Sequence, residues 1–362
     1  MATEDGKAYV TLQENNAVAV VDIASASVEK LLPLGTVDHS VVKFDPSDKD
    51  GKTELRTAPV KGLLLPDAIG TYQANGQTYF VTANEGDTRD WEGFSEEKRV
   101  ATLKLSKGFA GLKPEEIAAL QSEDQLGRLK VTSTLGKNEA TGTYDELYSF
   151  GGRGFTIFDA QGNRVFESGS EFEEILSGLG NQPFNPDHTS NDADDRSDDK
   201  GAEPEGLTLG TIGDRTFAFI GLERTSGIMV YDVTDPKDAA FVTYLNNRDF
   251  AEDPASGKAG DLGPEGLTFI PAQQSPNGKP MLAVGNEVSG TTTLYQINAD
   301  KSLIDKPATS STSSKGSSAG SSTVGLIASL AAVIGLIAAA LPHLGELHAQ
   351  WLNLLAMLQG RR

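Results

Sequence analysis

The sequence predicts an all-β fold of the propeller type, and three observations carry that prediction. Short β-rich runs such as "AVAVVDI", "TYFVTA", "TFAFIGL", "GIMVYDV" and "TTTLYQI" alternate with Gly, Asn and Asp turns. Acidic residues recur in pairs at near-constant spacing: Asp67 and Glu85 are 18 apart, Glu205 and Glu223 are 18 apart, and Glu265 and Glu287 are 22 apart. Each pair brackets a strand–turn–strand and runs on into a further strand, without a helix. Such a unit, ~40–45 residues long, has the period of a propeller blade. A β-sandwich is the alternative, but it does not require matched acidic positions in successive units.

The opening "AYVTLQENNAVAVVDI" fits the template from its second strand, with Glu14 in the place of Glu223. The corresponding first acid would fall before Met1, so the chain is expected to start inside a blade and to be N-terminally truncated. Four or five units are countable, "ELYSFGGRGFTIFDAQGNRVF" being the least regular. A helix is predicted at "PEEIAALQ", where Pro114 takes the first helical position and Glu115 and Glu116 follow it.

Composition bounds the function. Among 362 residues the net charge is −20, which disfavours nucleic acid because phosphates are repelled. The absence of cysteine removes thiol nucleophiles, thiolate zinc sites and disulfides. Only His39 and His188 precede the stalk, too few for a histidine-rich binuclear metal centre. There is no G-x-S-x-G elbow and no phosphate-binding G-x-x-x-x-G-K-[ST] loop, and no organic cofactor is expected.

The expected organisation is a propeller over residues 1–305, a stalk over 306–323, a transmembrane helix over 324–341 and a tail over 342–362. Thr309–Thr323 holds 11 Ser/Thr in 15 positions and cannot build a core. Val324–Leu341 is uncharged and mainly apolar; as a helix it would be ~27 Å long. Arg361 and Arg362 favour a cytoplasmic end, which places the propeller outside the cell. Apolar residues from Leu344 to Leu358, Trp351 among them, recur at helical spacing. The N-terminus shows no signal peptide.

Asp67, Glu205 and Glu265 occupy equivalent repeat positions, and Glu85, Glu223 and Glu287 form a second equivalent set. Pseudosymmetry predicts that they converge at the channel mouth. Carboxylates without histidine or thiolate suit Ca²⁺ or Mg²⁺. The other reading has each acid cap a neighbouring blade or pair with an arginine such as Arg224 or Arg153. A second candidate cation loop is "DPSDKDGKTE", with Asp45, Asp48, Asp50 and Gly51, although it lacks full EF-hand spacing. Asn185–Glu205 carries eight carboxylates against two basic side chains. Trp91 and Phe94 lie in an insertion that either binds a ligand or plugs its own blade.

"VTANEGDTRDWEGFSEEKRV", "RSDDKGAEPEGLTLG", "FIGLERTSGIMVYDVTDP" and "GDLGPEGLTFIP" resemble the choice-of-anchor I domain family. These are bacterial extracytoplasmic β-propeller proteins, similar also to mesenchyme-specific cell surface glycoproteins. The resemblance covers residues 5–298 and implies a cell-surface location, further blades before Met1 and an actinobacterial-type C-terminal anchor. Some members are labelled alkaline phosphatases, but no catalytic residue set carries over. "GKNEATGTYDEL" departs from the aspartate-rich loop of relatives, keeping only Glu139, Asp145 and Glu146. Two functions stay open: a surface binding or scaffold module for an extracellular ligand, or a calcium-dependent phosphoesterase with Arg153, Arg196, Arg224 and Lys200 beside the phosphate.

Overall fold

The computed structural model describes residues 1–298, and there the chain is mostly β, in several antiparallel sheets. The stalk, the apolar run 324–341 and the tail lie outside the described residues. Among the described residues no helix is long and apolar enough to cross a membrane.

The first sheet is a meander of β1 (Ala2–Glu4), β2 (Lys7–Leu12), β3 (Ala17–Asp22) and β4 (Ser27–Pro33). After β5 (Thr36–Asp38) and β6 (Lys61–Leu63), the second sheet begins with β7 (Ile69–Ala74) and β8 (Gln77–Ala83). The chain then leaves this sheet. It forms the hairpin β9 (Asp90–Trp91) and β10 (Phe94–Ser95), then β11 (Glu97–Arg99), helix α1 (Pro114–Leu120) and β12 (Lys130–Thr132). The hairpin β13 (Lys137–Asn138) and β14 (Thr143–Tyr144) precedes β15 (Tyr148–Phe150). Only then do β16 (Phe155–Asp159) and β17 (Arg164–Glu167) complete the second sheet, in the order β17-β16-β8-β7.

This narrows the repeat count from four or five units to four. "FTIFDA" and "RVF" are not a unit of their own, because β16 pairs with β8, Ile157 opposite Val81 and Phe158 opposite Phe80. The Asn84 N–H donating to the Gly154 carbonyl at 3.0 Å closes the excursion at its root. Its strands β11, β12 and β15 join the earlier β6 and β5 in a five-stranded sheet, order β11-β12-β15-β6-β5, parallel only between β15 and β6. Helix α1 forms as expected. Helix α2 (Glu171–Gly178) does not appear in the sequence reading; it buries Phe172 and Leu176 between the second and third sheets.

The third sheet is the meander β18 (Pro204–Ile212), β19 (Arg215–Leu222), β20 (Ile228–Asp232) and β21 (Ala240–Leu245). The fourth is β22 (Pro264–Ile270), β23 (Met281–Asn286) and β24 (Thr291–Gln296).

Period-2 alternation explains the stacking, since successive strand residues face opposite sides. On the second sheet, Phe80 and Phe158 face Tyr9, Val18 and Val20 of the first. Tyr79, Val81, Phe155 and Ile157 face Ala218, Ile220, Met229 and Tyr231 of the third. The third sheet's other face, Phe217, Phe219 and Val230, covers Leu282 and Val284 of the fourth. Burying one such Val, Ile or Phe contributes about 1.5–3 kcal/mol. The leading strands β1, β7, β18 and β22 lie side by side in that order.

Candidate functional site

Three leading strands start from one local device, a left-handed residue followed by proline and an acid. Leu65, Glu203 and Gly263 have φ of 44°, 55° and 70°, and precede Pro66–Asp67, Pro204–Glu205 and Pro264–Glu265. The left-handed residue's carbonyl accepts from the far end of the next strand: Glu203 O from the Glu223 N–H, Gly263 O from the Glu287 N–H, Leu65 O from the Gly86 N–H. In β18 and β22 the register slips at this point, Pro204 opposing Leu222 and Pro264 opposing Asn286. Such a bulge re-aims the side chain that follows, so the acid turns out of the sheet.

The result is a carboxylate cluster. Glu85, Glu205 and Glu223 each place an oxygen within 4.8 Å of the others. Asp67 and Glu265 are near enough to repel Glu205. Burial, together with these acids, pushes the Glu205 carboxyl up to about 9, and its Oε2 is buried with no hydrogen-bond partner. Burial also raises Glu85 to about 7, opposed by Lys200 and reinforced by Glu203. Burial and Glu265 raise Asp67. Glu265 and Glu287 are exposed, Glu287 immediately after β23.

Gly206, the glycine of the first "PEG", has a separate purpose. A Cβ there would come 2.3 Å from the Glu265 carbonyl oxygen, so only glycine lets β22 approach β18 this closely. The equivalent Gly266 faces open space.

Six participants escape a search for repeats. Gln13, in the turn between β2 and β3, donates to Glu85 Oε2 at 2.7 Å, while Glu14 stays exposed. Fully buried Glu203 takes Lys200 at 2.7 Å, Arg196 at 2.5 Å and Arg224 at 3.2 Å. Burial opposes its charge, but these three cations hold its carboxyl below the usual range. Lys200 also reaches Glu85 at 3.3 Å, and Arg224 reaches Glu223 at 3.2 Å. His188 Nδ1 lies 3.3 Å from Glu223 Oε1. On its other side His188 lines a cavity of about 310 Å³ with Thr189, Ala255, Gly260, Leu262 and Ser289. Positive partners at 196, 200 and 224 follow no repeat period, which is why the sequence shows Glu203 only as part of an acidic run.

Asp48 and Asp50 lie apart from this cluster. Asp48 is paired with Lys49 at 2.5 Å and Arg128 at 2.6 Å, and Asp50 with Arg56 at 2.6 Å. Asp45 accepts the Ser47 and Glu54 N–H groups, and burial raises its carboxyl to about 6. The four cations considered beside a phosphate are all in ion pairs, with Arg153 on Glu173 at 2.6 Å.

Comparison with known proteins adds three findings. The family model for the choice-of-anchor I domain matches residues 1–236, from the first sheet to the β20–β21 connection. Gigasin-3a of Magallana gigas is 30% identical over 206 residues, 53% of this chain and 72% of that protein. The mesenchyme-specific cell surface glycoprotein of Strongylocentrotus purpuratus is 29% identical over 234 residues, 56% of this chain but 30% of that protein.

Proposed function

The chain belongs to the choice-of-anchor I domain family, and we propose that it is a surface-located β-propeller binding module whose acidic mouth holds a hard divalent cation. The surface location is supported by the family and by the printed name of the sea-urchin relative. The propeller reading is supported by four antiparallel sheets stacked face to face with their leading strands adjacent.

One observation carries the cation: the oxygens of Glu85, Glu205 and Glu223 lie within 4.8 Å of one another. An ion bonded to oxygen at ~2.3–2.6 Å can touch all three. Glu205 Oε2, buried without a donor, supplies an acceptor that nothing in the protein satisfies. All-carboxylate donors favour Ca²⁺ or Mg²⁺ over softer metals. Lys200, Arg196 and Arg224 converge on Glu203, so much of their charge is already balanced.

Calorimetric titration of the full chain with Ca²⁺ tests the reading. The expected result is one saturable site, with Kd on the order of 10⁻⁴–10⁻³ M as in extracellular modules, lost in Glu205→Gln/Glu223→Gln. Absence of saturable binding, or binding that survives the double substitution, would sink it.

A further inference from the structure

Trp91 and Phe94 are 56% and 41% exposed, and they are the two exposed aromatic side chains among the described residues. They sit opposite each other at the tip of the β9–β10 hairpin, ring centroids 5.5 Å apart. The hairpin starts from the cluster end of the second sheet, a few residues after Glu85, and Asp87 lies 3.9 Å from Lys200.

The tip is exposed, but its base is held firmly. Glu96 is 4% exposed and accepts from Arg89 Nε at 3.0 Å, Arg89 Nη2 at 2.7 Å, the Arg89 N–H at 3.0 Å and Thr132 Oγ1 at 2.6 Å. A buried carboxylate clamp of this kind fixes the direction in which the aromatic pair projects. Rigid exposed aromatics are the usual anchors of recognition surfaces.

The charge around the tip selects the occupant. Asp87, Asp90 and Glu92 are exposed and lie within four residues of Trp91 along the chain. The Arg89 guanidinium, held by Glu96, lies 5.8 Å from the Phe94 ring centroid, so a cation already sits beside this ring. Trp is the best ring for that interaction. Anionic membrane headgroups would be repelled by the same carboxylates.

We propose that the Trp91–Phe94 hairpin is a docking point for a basic peptide segment of a partner protein. An arginine or lysine side chain stacks on the open ring faces, and Asp87, Asp90 and Glu92 receive its charge. The site is independent of any cation at Glu85, Glu205 and Glu223, so it operates in the presence of chelator.

The test is calorimetry of the full chain with a hexa-arginine peptide in EDTA at about 0.15 M salt, where long-range attraction is screened. Saturable binding is expected, weakened about tenfold in Trp91→Ala/Phe94→Ala, which leaves the net charge unchanged. A comparable loss is expected in Asp90→Asn/Glu92→Gln. All four positions are exposed, and circular dichroism verifies that the variants stay folded. Equal binding by the aromatic double variant would overturn the proposal, because the acidic surface alone would then account for it. So would no binding at all. A Trp351→Phe protein leaves Trp91 as the only indole; quenching by N-acetylglucosamine or by phosphatidylcholine vesicles, without quenching by the peptide, would instead make the tip a sugar or membrane contact.

Discussion

Arg153 and Glu173 form an ion pair of 2.6 Å with both side chains almost wholly buried, 4% and 2% exposed. The guanidinium also donates to the carbonyls of Asp45, Ser197 and Asp199, and it stacks 4.9 Å from the Phe44 ring. One side chain thus joins the 45–54 loop, helix α2 and the acidic segment that carries Lys200. Removing either partner strands a buried charge. Arg153→Met should lower the unfolding free energy by about 3–5 kcal/mol, read from urea denaturation; a loss below ~1 kcal/mol would show that the pair is not the hub.

The two "PEG" glycines should behave oppositely despite identical sequence context. Gly206→Ala puts a methyl against the Glu265 carbonyl and should cost about 1–3 kcal/mol. Gly266→Ala meets nothing and should stay within about 0.5 kcal/mol of wild type. Paired denaturation curves check both, and equal effects would contradict the β18–β22 contact.

The acidic cluster should make stability fall as pH rises. Burial and mutual repulsion raise the folded-state carboxyls of Glu85 to about 7 and Glu205 to about 9, above the ordinary 4.5. Their favourable contribution is complete below the ordinary value and is lost as pH climbs through 7 and 9. Glu205→Gln should therefore raise the Tm of metal-free protein at pH 9 while changing it little at pH 5. Ca²⁺ should reduce the pH slope of the wild type. A Tm that rises steadily between pH 6 and 9 without metal would refute the clustering.

His39 should set the acid limb. Its ring is buried against Phe44 with Nδ1–H donating to the Val42 carbonyl at 3.0 Å. Burial, aided by Arg153, lowers its pKa from 6.5 to about 4. The unfolded chain then binds the extra proton, so this contribution is present above pH 6.5 and is lost as pH falls toward 4. Between pH 7 and 5 the loss should be about 2 kcal/mol. Denaturation at the two pH values checks it, and His39→Phe should remove that part of the dependence.

Much of this was legible because it is local or periodic. Alternating apolar residues and turn glycines mark the strands, and the recurring acids mark the start and end of β7–β8, β18–β19 and β22–β23. The equivalence of Asp67 with Glu205 follows from spacing alone. The remainder depends on long-range geometry. Nothing near Gln13 indicates that it meets Glu85, and nothing near Arg89 indicates that it clamps Glu96. The left-handed residue before each proline is hidden because three different side chains, Leu65, Glu203 and Gly263, hold it. The excursion between β8 and β16 left the repeat count open between four and five because a repeat search assumes that strands of one sheet are neighbours in sequence.

That excursion also imposes an order on assembly. The third sheet is a continuous meander, so each pairing closes only a short turn. The second sheet must bring Asn84 to Gly154 before β16 can dock on β8, and the chain entropy of that closure is lost before any contact compensates it. Yet Phe155, Ile157 and Phe158 of β16 belong to the clusters on both faces of the second sheet. The first and third sheets can therefore form early, with β7 and β8 between them, but the core on both faces of the second sheet is completed only when β16 arrives, which makes β16 docking the expected slow step of folding.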